Sequence, residues 1–216
     1  MRLALFGPPG AGKGTQAKRL AARHDLDHVS TGDLFRAAIR EQTALGKTVK
    51  GLLENGELVP DDVTNDLVAE RLASQPDGGF VLDGFPRTVA QAEWLIAHLA
   101  AAGRPLDAVV SLRVPDEAVV ERLSNRRTDP ETGAIYHLEF NPPPDSLPAS
   151  RLVRRSDDEP AAIRHRLQIY HDETHPVEAY LRAHVRFFEV DGTGPLEAVE
   201  ARITEAITAD RGLDGL

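Results

Sequence analysis

Cysteine is absent from all 216 residues, which excludes disulfides, thiolate zinc centres and thiol catalysis together. Aromatics make up only 5% of the chain, so its core must rest on Leu, Val, Ile and Ala. Lysine is scarce: it stands at 13, 18, 47 and 50 and nowhere later. Arginine, a forked ligand for phosphate, supplies the remaining positive charge. The net charge of −9 argues against a general nucleic-acid or anionic-membrane surface and confines any phosphate site to a local patch. No apolar run approaches the length of a membrane span. Met1-Arg2 leads straight into an apolar segment with no charged-then-apolar leader, so a soluble, cytoplasmic chain is expected. The length suits one α/β domain with room for a small insertion.

Residues 7–15 read Gly-Pro-Pro-Gly-Ala-Gly-Lys-Gly-Thr, after the apolar run Leu3-Ala4-Leu5-Phe6 and before a helical pattern. Strand, glycine-rich turn and helix start are the context a phosphate-binding P-loop needs. Gly7, Gly10 and Gly12 let the backbone turn its N–H groups inward at an anion. A helix beginning near Lys13 adds the positive end of its dipole, and Lys13 adds a full charge. The common motif places Ser or Thr directly after the lysine, whereas here Gly14 intervenes before Thr15.

Four more short apolar runs read as buried strands, around His28-Val29, Phe80–Leu82, Val109–Leu112 and Phe187–Val190. Helical periodicity covers about 13–24, 61–73, 88–102, 116–125, 159–183 and 195–208. The alternation predicts an α/β fold of three layers, a parallel five-stranded P-loop NTPase sheet covered on both faces. Ligands in such sheets sit at the carboxyl ends of strands, where Gly7, Thr31 and Asp83 fall. Two stretches break the alternation and read as small inserted subdomains. Residues 30–59 carry two short helical patterns, split by Leu45-Gly46 and closed by Asn55-Gly56. Residues 125–158 carry few periodic apolar residues, several arginines, and Pro130, Pro142, Pro143, Pro144 and Pro148. A structureless loop of that length does not suit a compact domain, so a lid is expected there.

Several clusters carry two readings each. Thr31-Gly32-Asp33 with Arg36 reads as a helix start capped by Ser30 or Thr31, and also as a ligand cluster. Asp83-Gly84-Phe85-Pro86-Arg87 reads as a strand-to-helix turn. It also reads as a site in which the aspartate holds water on Mg²⁺ and Arg87 forks onto phosphate. A cis bond at Phe85-Pro86 stays open. Arg122, Arg126 and Arg127 end one helix, and Arg154, Arg155, Arg164 and Arg166 bracket the far side of the lid. Two such clusters flanking one loop can close on a polyanion, although Arg127, Arg154 and Arg164 read as ordinary solvent-facing charges. Asp157-Asp158 reads as a helix cap that also orients neighbouring arginines. His137 reads as a hydrogen-bonded structural histidine and Trp94 as packing.

In this order, and with Tyr136-His137-x-x-Phe140-Asn141-Pro142-Pro143, the motifs resemble the adenylate kinases in their long-lid form, from residue 1 to about 208. That family's P-loop also carries Gly between the lysine and the threonine. The resemblance implies reversible transfer of the ATP γ-phosphoryl to AMP, giving two ADP, with Mg²⁺ accompanying ATP. It implies a monomer with no nucleic-acid or membrane partner. Gly10, Ala11, Gly12, Lys13, Gly14 and Thr15 would hold the ATP phosphates, Arg122 and Arg126 would meet ATP, and Ile135, Tyr136 and Gly194 would line adenine and ribose. Thr31, Arg36, Glu57, Leu58, Val59, Gly84, Phe85, Pro86, Arg87 and Gln91 would hold AMP. Arg155 and Arg166 would bridge the two phosphate chains, and Asp33 and Asp83 would hold Mg²⁺ through water. The nucleophile is a phosphate oxygen already ionised at neutral pH, so no general base is required. Catalysis then falls to positioning and charge neutralisation by Lys13, Arg87, Arg126, Arg155, Arg166 and the ion.

The lid departs from the family pattern. Many relatives carry four zinc ligands there, mostly cysteines, whereas Asp129 and Thr132 stand at the first pair. The segment between Asn141 and Asp157 is also shorter than in zinc-free relatives. A lid without zinc, held by hydrogen bonds and proline stiffness, is expected. The rival readings are a sister nucleoside monophosphate kinase, a kinase using GTP as donor, and a P-loop switch that holds a single nucleotide.

Overall fold

The chain is described from a computed structural model that covers residues 1–75 and 78–209. Five parallel strands form the central sheet: β1 (Arg2–Phe6), β2 (Asp27–Ser30), β3 (Phe80–Asp83), β4 (Ala108–Arg113) and β7 (Phe187–Asp191). Their spatial order is β2-β3-β1-β4-β7. Side chains alternate along β1, as a pleated strand requires. Leu3 and Leu5 join one core with Leu20, Leu123, Ile163 and Ile203, drawn from α1 (Lys13–His24), α6 (Asp116–Ser124), α7 (Pro160–Ile169) and α9 (Leu196–Ala209). Ala4 and Phe6 join the other with Val68, Leu95, Leu99 and Leu181, from α4 (Asp61–Ala73), α5 (Val89–Ala101) and α8 (Val177–His184). Both faces are therefore covered, as the near-continuous apolar strands predict.

The first insertion has a small core of its own. Phe35, Val49 and Val59 are buried there against Ile39, Leu53 and Leu67. Its helices are α2 (Thr31–Arg40) and α3 (Ala44–Asn55). Of the two candidate caps for α2, Ser30 takes the role, its Oγ accepting from the Asp33 N–H at 3.3 Å. The break between α2 and α3 falls at 41–43, not at the expected Leu45-Gly46. Gln42 adopts a φ of 54°, and Thr43 caps α3 by accepting from the Gly46 N–H at 3.0 Å. Gly46 lies inside α3 because that helix crosses α2 there: a Cβ would stand 2.1 Å from the Ala38 carbonyl oxygen. The glycine marks close helix packing, not a turn.

The expected helix over 159–183 is also interrupted. α7 ends at Ile169, a π-helical turn runs Tyr170–Thr174, and α8 begins after Pro176. Pro176 has no N–H to continue an α-helical ladder, and the wider turn absorbs the mismatch.

The lid opens with an antiparallel pair, β5 (Arg126–Thr128) and β6 (Ile135–His137), to which Val153 adds a bridge at Thr128. From 126 to 158 the only buried residues are two acids, Asp129 and Asp158. This segment has no apolar centre, and polar contacts hold it together.

Candidate active site

The turns that follow β1, β2 and β3 open into one cleft of about 630 Å³. Beside it lies a small pocket of about 70 Å³ under the first insertion. Gly10, Ala11, Gly12, Lys13, Gly14, Thr15, Arg122, Arg126, Ile135, Tyr136 and Gly194 all line the main cleft. Asp33, Asp83, Phe85, Pro86 and Arg155 line it as well. Thr31, Glu57, Val59 and Gln91 line the side pocket. Arg36, Leu58, Gly84, Arg87 and Arg166 belong to both. Every residue singled out from the sequence for nucleotide or metal binding thus lines one or both of two adjoining pockets.

The P-loop end is built to take an anion. Gly12 caps α1 with a φ of 95°, offers no side-chain acceptor, and is followed by no acidic residue in the first turn. The leading N–H groups of α1 therefore meet no side-chain cap, and the positive end of the helix faces the cleft. Lys13 turns its Nζ back onto the Gly7 and Pro8 carbonyl oxygens, each at 2.7 Å. Burial drives its pKa down to about 7; Asp83 opposes this, while Arg87, Arg166 and Arg126 push it further down. Gly14 also finds its explanation here. A Cβ at that position would stand 3.0 Å from Asp83 Oδ2, so the glycine lets the carboxylate approach the start of α1. Burial works against ionisation of Asp83, yet His28, Lys13 and Ser30 keep its pKa below the ordinary carboxylate value.

The arginines are held by a few fixed partners. Arg126 forks onto Asp158, Nε to Oδ2 at 2.7 Å and Nη2 to Oδ1 at 2.6 Å. Arg166 reaches Asp157 Oδ2 at 2.9 Å and donates to the Asp157 carbonyl at 3.0 Å. Arg155 donates its Nε to Thr128 Oγ1 at 3.0 Å. Arg122 ties α6 to the end of β7 through the Gly192 carbonyl at 2.9 Å. Arg87 donates to the Gly84 carbonyl at 2.8 Å, which also accepts from Thr31 Oγ1 at 3.0 Å. Arg36 pairs with Asp33 at 2.6 Å. Burial, and then the crowding of like charges, lowers the pKa values of Arg155 and Arg166. Asp157 and Asp158 offset only part of this, and an entering polyanion would relieve the rest.

Arg127 and Arg154 serve the backbone instead, Arg127 at the Ser124 and Arg126 carbonyls and Arg154 at that of Asp158. His137 Nδ1 accepts from the Glu139 and Phe140 N–H groups at 3.2 and 3.0 Å. Trp94 packs edge-on against Phe85.

The sequence model of the family described as Adenylate kinase matches residues 5–185. The chain belongs to the adenylate kinase family. It is 48% identical to the adenylate kinase of Salinibacter ruber, over 97% of this chain and 99% of that protein. With the adenylate kinase of Moorella thermoacetica the identity is 47%, covering 97% and 99%. With that of Fusobacterium nucleatum it is 46%, covering 92% and 94%. This family member presents its P-loop, its Asp83 turn and its lid arginines to a single cleft, in the sequence order that carried the resemblance.

Some contributors were not singled out from sequence. His28 Nε2 stands 3.6 Å from Asp83 Oδ2, and the two-residue period from Ser30, which sits opposite Asp83, points to it. Tyr170 and Thr174 line the cleft from the π-helical turn, for which Pro176 was the available signal. Asp61 stands behind Gln91, a contact between α4 and α5 that no local pattern marks.

Proposed function

We infer that this chain transfers the γ-phosphoryl group of ATP to AMP, reversibly, giving two ADP. One observation carries the reading: the cleft over the P-loop and its lysine adjoins an arginine-lined side pocket, and Arg36, Arg87 and Arg166 line both. A nucleotide switch needs the first half only. A kinase needs both.

The roles follow from the geometry and charge. A phosphate entering the loop replaces the Gly7 and Pro8 carbonyls as acceptor for Lys13 and gives that buried ammonium a counter-charge. Residues Gly10 to Thr15 cradle the donor phosphates. Arg122 and Arg126 face them, with Ile135, Tyr136 and Gly194 at the nucleoside. Thr31, Arg36, Glu57 to Val59, Gly84 to Arg87 and Gln91 hold AMP. Arg155 and Arg166 span the phosphates between the two nucleotides. The acceptor oxygen is already anionic, so the protein supplies no base; Lys13, Arg87, Arg126, Arg155 and Arg166 neutralise and align the phosphoryl in transit.

Asp33 and Asp83 offer hard carboxylate oxygens at the cleft, and the pKa values of both are below the ordinary carboxylate value. Among the described residues no group of three or more His, Asp or Glu side chains forms a metal cage. Two carboxylates lining a cleft of about 630 Å³ suit Mg²⁺, which keeps several of its waters. Asp33 and Asp83 would hold such an ion through water, and its charge would offset that of the donor phosphates. The lid shuts water out, which prevents loss of ATP to hydrolysis.

No helix among the described residues is long and apolar enough to cross a membrane. We take the enzyme to be a cytoplasmic monomer without a nucleic-acid partner.

A coupled assay of ADP formation from MgATP tests the reading, with AMP, CMP, UMP and GMP offered in turn and GTP substituted as donor. AMP-dependent turnover with little loss of ATP in its absence is expected. Slow ATP consumption, equal with and without acceptor, would overturn the kinase reading in favour of a switch. Equal use of another acceptor, or of GTP, would move it to a sister kinase.

A further inference from the structure

Gln91 is a buried polar residue, 2% exposed, in the first turn of α5 and in the wall of the side pocket. Its Oε1 accepts from the Arg87 backbone N–H at 2.8 Å, and its Nε2 donates to Asp61 Oδ1 at 2.7 Å. The two ends of a glutamine amide have nearly the same shape, so either orientation fits sterically. The partners decide between them: a backbone N–H can only donate, and a carboxylate can only accept. Turning the amide over would set Oε1 against the Asp61 carboxylate and the NH₂ group against the Arg87 N–H, two opposed contacts at a buried position.

Asp61 is itself fixed. Its Oδ2 accepts from Thr88 Oγ1 at 3.0 Å, and the same hydroxyl oxygen caps α5 by accepting from the Gln91 N–H at 3.1 Å. Asp61, Thr88 and Gln91 thus close a ring of hydrogen bonds behind the pocket, and Asp61 stands outside the pocket wall. One N–H on Nε2 and one lone pair on Oε1 remain to face a ligand, with their polarity set.

We propose that Asp61 is a positioning residue that sets acceptor-base specificity by locking the orientation of the Gln91 amide, so that the side pocket takes a 6-aminopurine nucleotide and rejects a 6-oxopurine one. The proposal rests on the reading of Gln91 as a residue that meets the acceptor base. A 6-aminopurine presents an N6–H donor beside the N1 acceptor, and a 6-oxopurine presents an O6 acceptor beside an N1–H donor. A glutamine free to turn over serves either edge. A locked one serves only the first, and the second leaves buried polar groups opposed, which is the strong form of rejection.

The test compares kcat/KM for AMP with that for inosine monophosphate, which keeps the rest of the nucleotide and reverses the polarity of the edge. Asp61→Asn keeps the shape, but its own amide can donate or accept, so it releases the lock. The AMP-to-IMP ratio is expected to fall about tenfold or more, through a gain with IMP as well as a loss with AMP, while the KM for ATP stays unchanged. Thr88→Val frees Asp61 from its second hold and should shift the ratio the same way by less; it also keeps the proposal testable if the first variant folds poorly. Gln91→Ala should abolish the discrimination. If Gln91→Ala abolishes it while Asp61→Asn and Thr88→Val leave the ratio intact, the lock is overturned and Gln91 keeps its role. If Gln91→Ala also leaves the ratio intact, both fall. Equal loss with AMP and IMP in Asp61→Asn would reduce Asp61 to a structural residue and overturn the proposal.

Discussion

The side chain of Arg166 lies across Gly56 so closely that a Cβ on the glycine would stand 2.5 Å from the arginine Cγ. Gly56 closes α3 at a φ of 78°, its N–H reaching back to the Leu52 and Leu53 carbonyls. Arg166 comes from α7, more than a hundred residues later, and lines both the main cleft and the side pocket. The end of the first insertion and a guanidinium that lines both pockets therefore share one fit.

Gly56→Ala tests that fit. The left-handed backbone alone should cost about 1 kcal/mol. Displacing the stem of Arg166 should lower kcat about tenfold to a hundredfold, because a shift near 1 Å in a positioning group costs that much. Thermal melts and steady-state kinetics separate the two effects. Unchanged kcat beside a lowered melting temperature would show that Arg166 gives way freely.

Lys13 should tie nucleotide binding to proton uptake. Its pKa is depressed from 10.5 to about 7 in the folded chain, chiefly by burial. Between those values the unfolded chain holds a proton that the folded chain lacks, so this group's contribution to stability rises with pH across the window. Below about 7 both states are protonated and the burial penalty stands in full. A bound polyphosphate restores the charge. Binding of ATP at pH 8 should take up about one proton, read by calorimetry in buffers of different ionisation heat, and Lys13→Met should abolish the uptake.

Much of this was legible in the sequence, for identifiable reasons. Buried parallel strands must be apolar on both faces, so Leu3–Phe6 and Val109–Leu112 announced themselves, and the P-loop between Phe6 and Lys13 fixed where the cleft opens. Contacts between distant elements were not legible. Nothing local distinguishes a glycine that breaks a helix from one that lets two helices cross, which is why Gly46 read as a break. Asp61 next to Gln91 depends on how α4 meets α5. Asp157-Asp158 read as a cap and as an arginine holder; the geometry gives Asp158 a fork from Arg126, which spacing alone does not provide.

That fork is the next point of test. Asp158 is fully buried, and Arg126 is the partner that balances its charge most directly. Asp158→Asn keeps the volume and leaves the guanidinium without its nearest counter-ion. Removing one member of a buried pair should destabilise the fold by about 3 kcal/mol, measured by urea unfolding. Because Arg126 also lines the main cleft, kcat should fall by more than the KM for ATP rises. An unchanged kcat would show that Arg126 does not depend on this partner.

The lid supplies the last prediction. Asp129 is 1% exposed and accepts from Thr132 Oγ1 at 2.7 Å and from the Glu131 N–H at 3.1 Å. The Arg151 guanidinium forks onto the same carboxylate from the turn at Ala149–Arg151 and also meets Glu131 at 2.9 Å. Arg151 is thus the cation to which Asp129 is committed, and we expect no stoichiometric zinc by elemental analysis and no change in melting temperature after treatment with a chelator. The hydrogen bond from Arg151 is the chief reason that the Asp129 carboxyl titrates far below the usual carboxylate range. For a depressed acid the stabilising contribution is present above the unfolded pKa and is lost as pH falls through the folded one. The lid should therefore keep its hold down to strongly acidic pH, and Arg151→Met should raise the pH at which it loosens. That variant should also consume ATP faster than the parent when AMP is absent, because a loose lid admits water. Zinc bound one per chain, or an Arg151→Met lid that seals as well as the parent, would show that this segment is held in some other way.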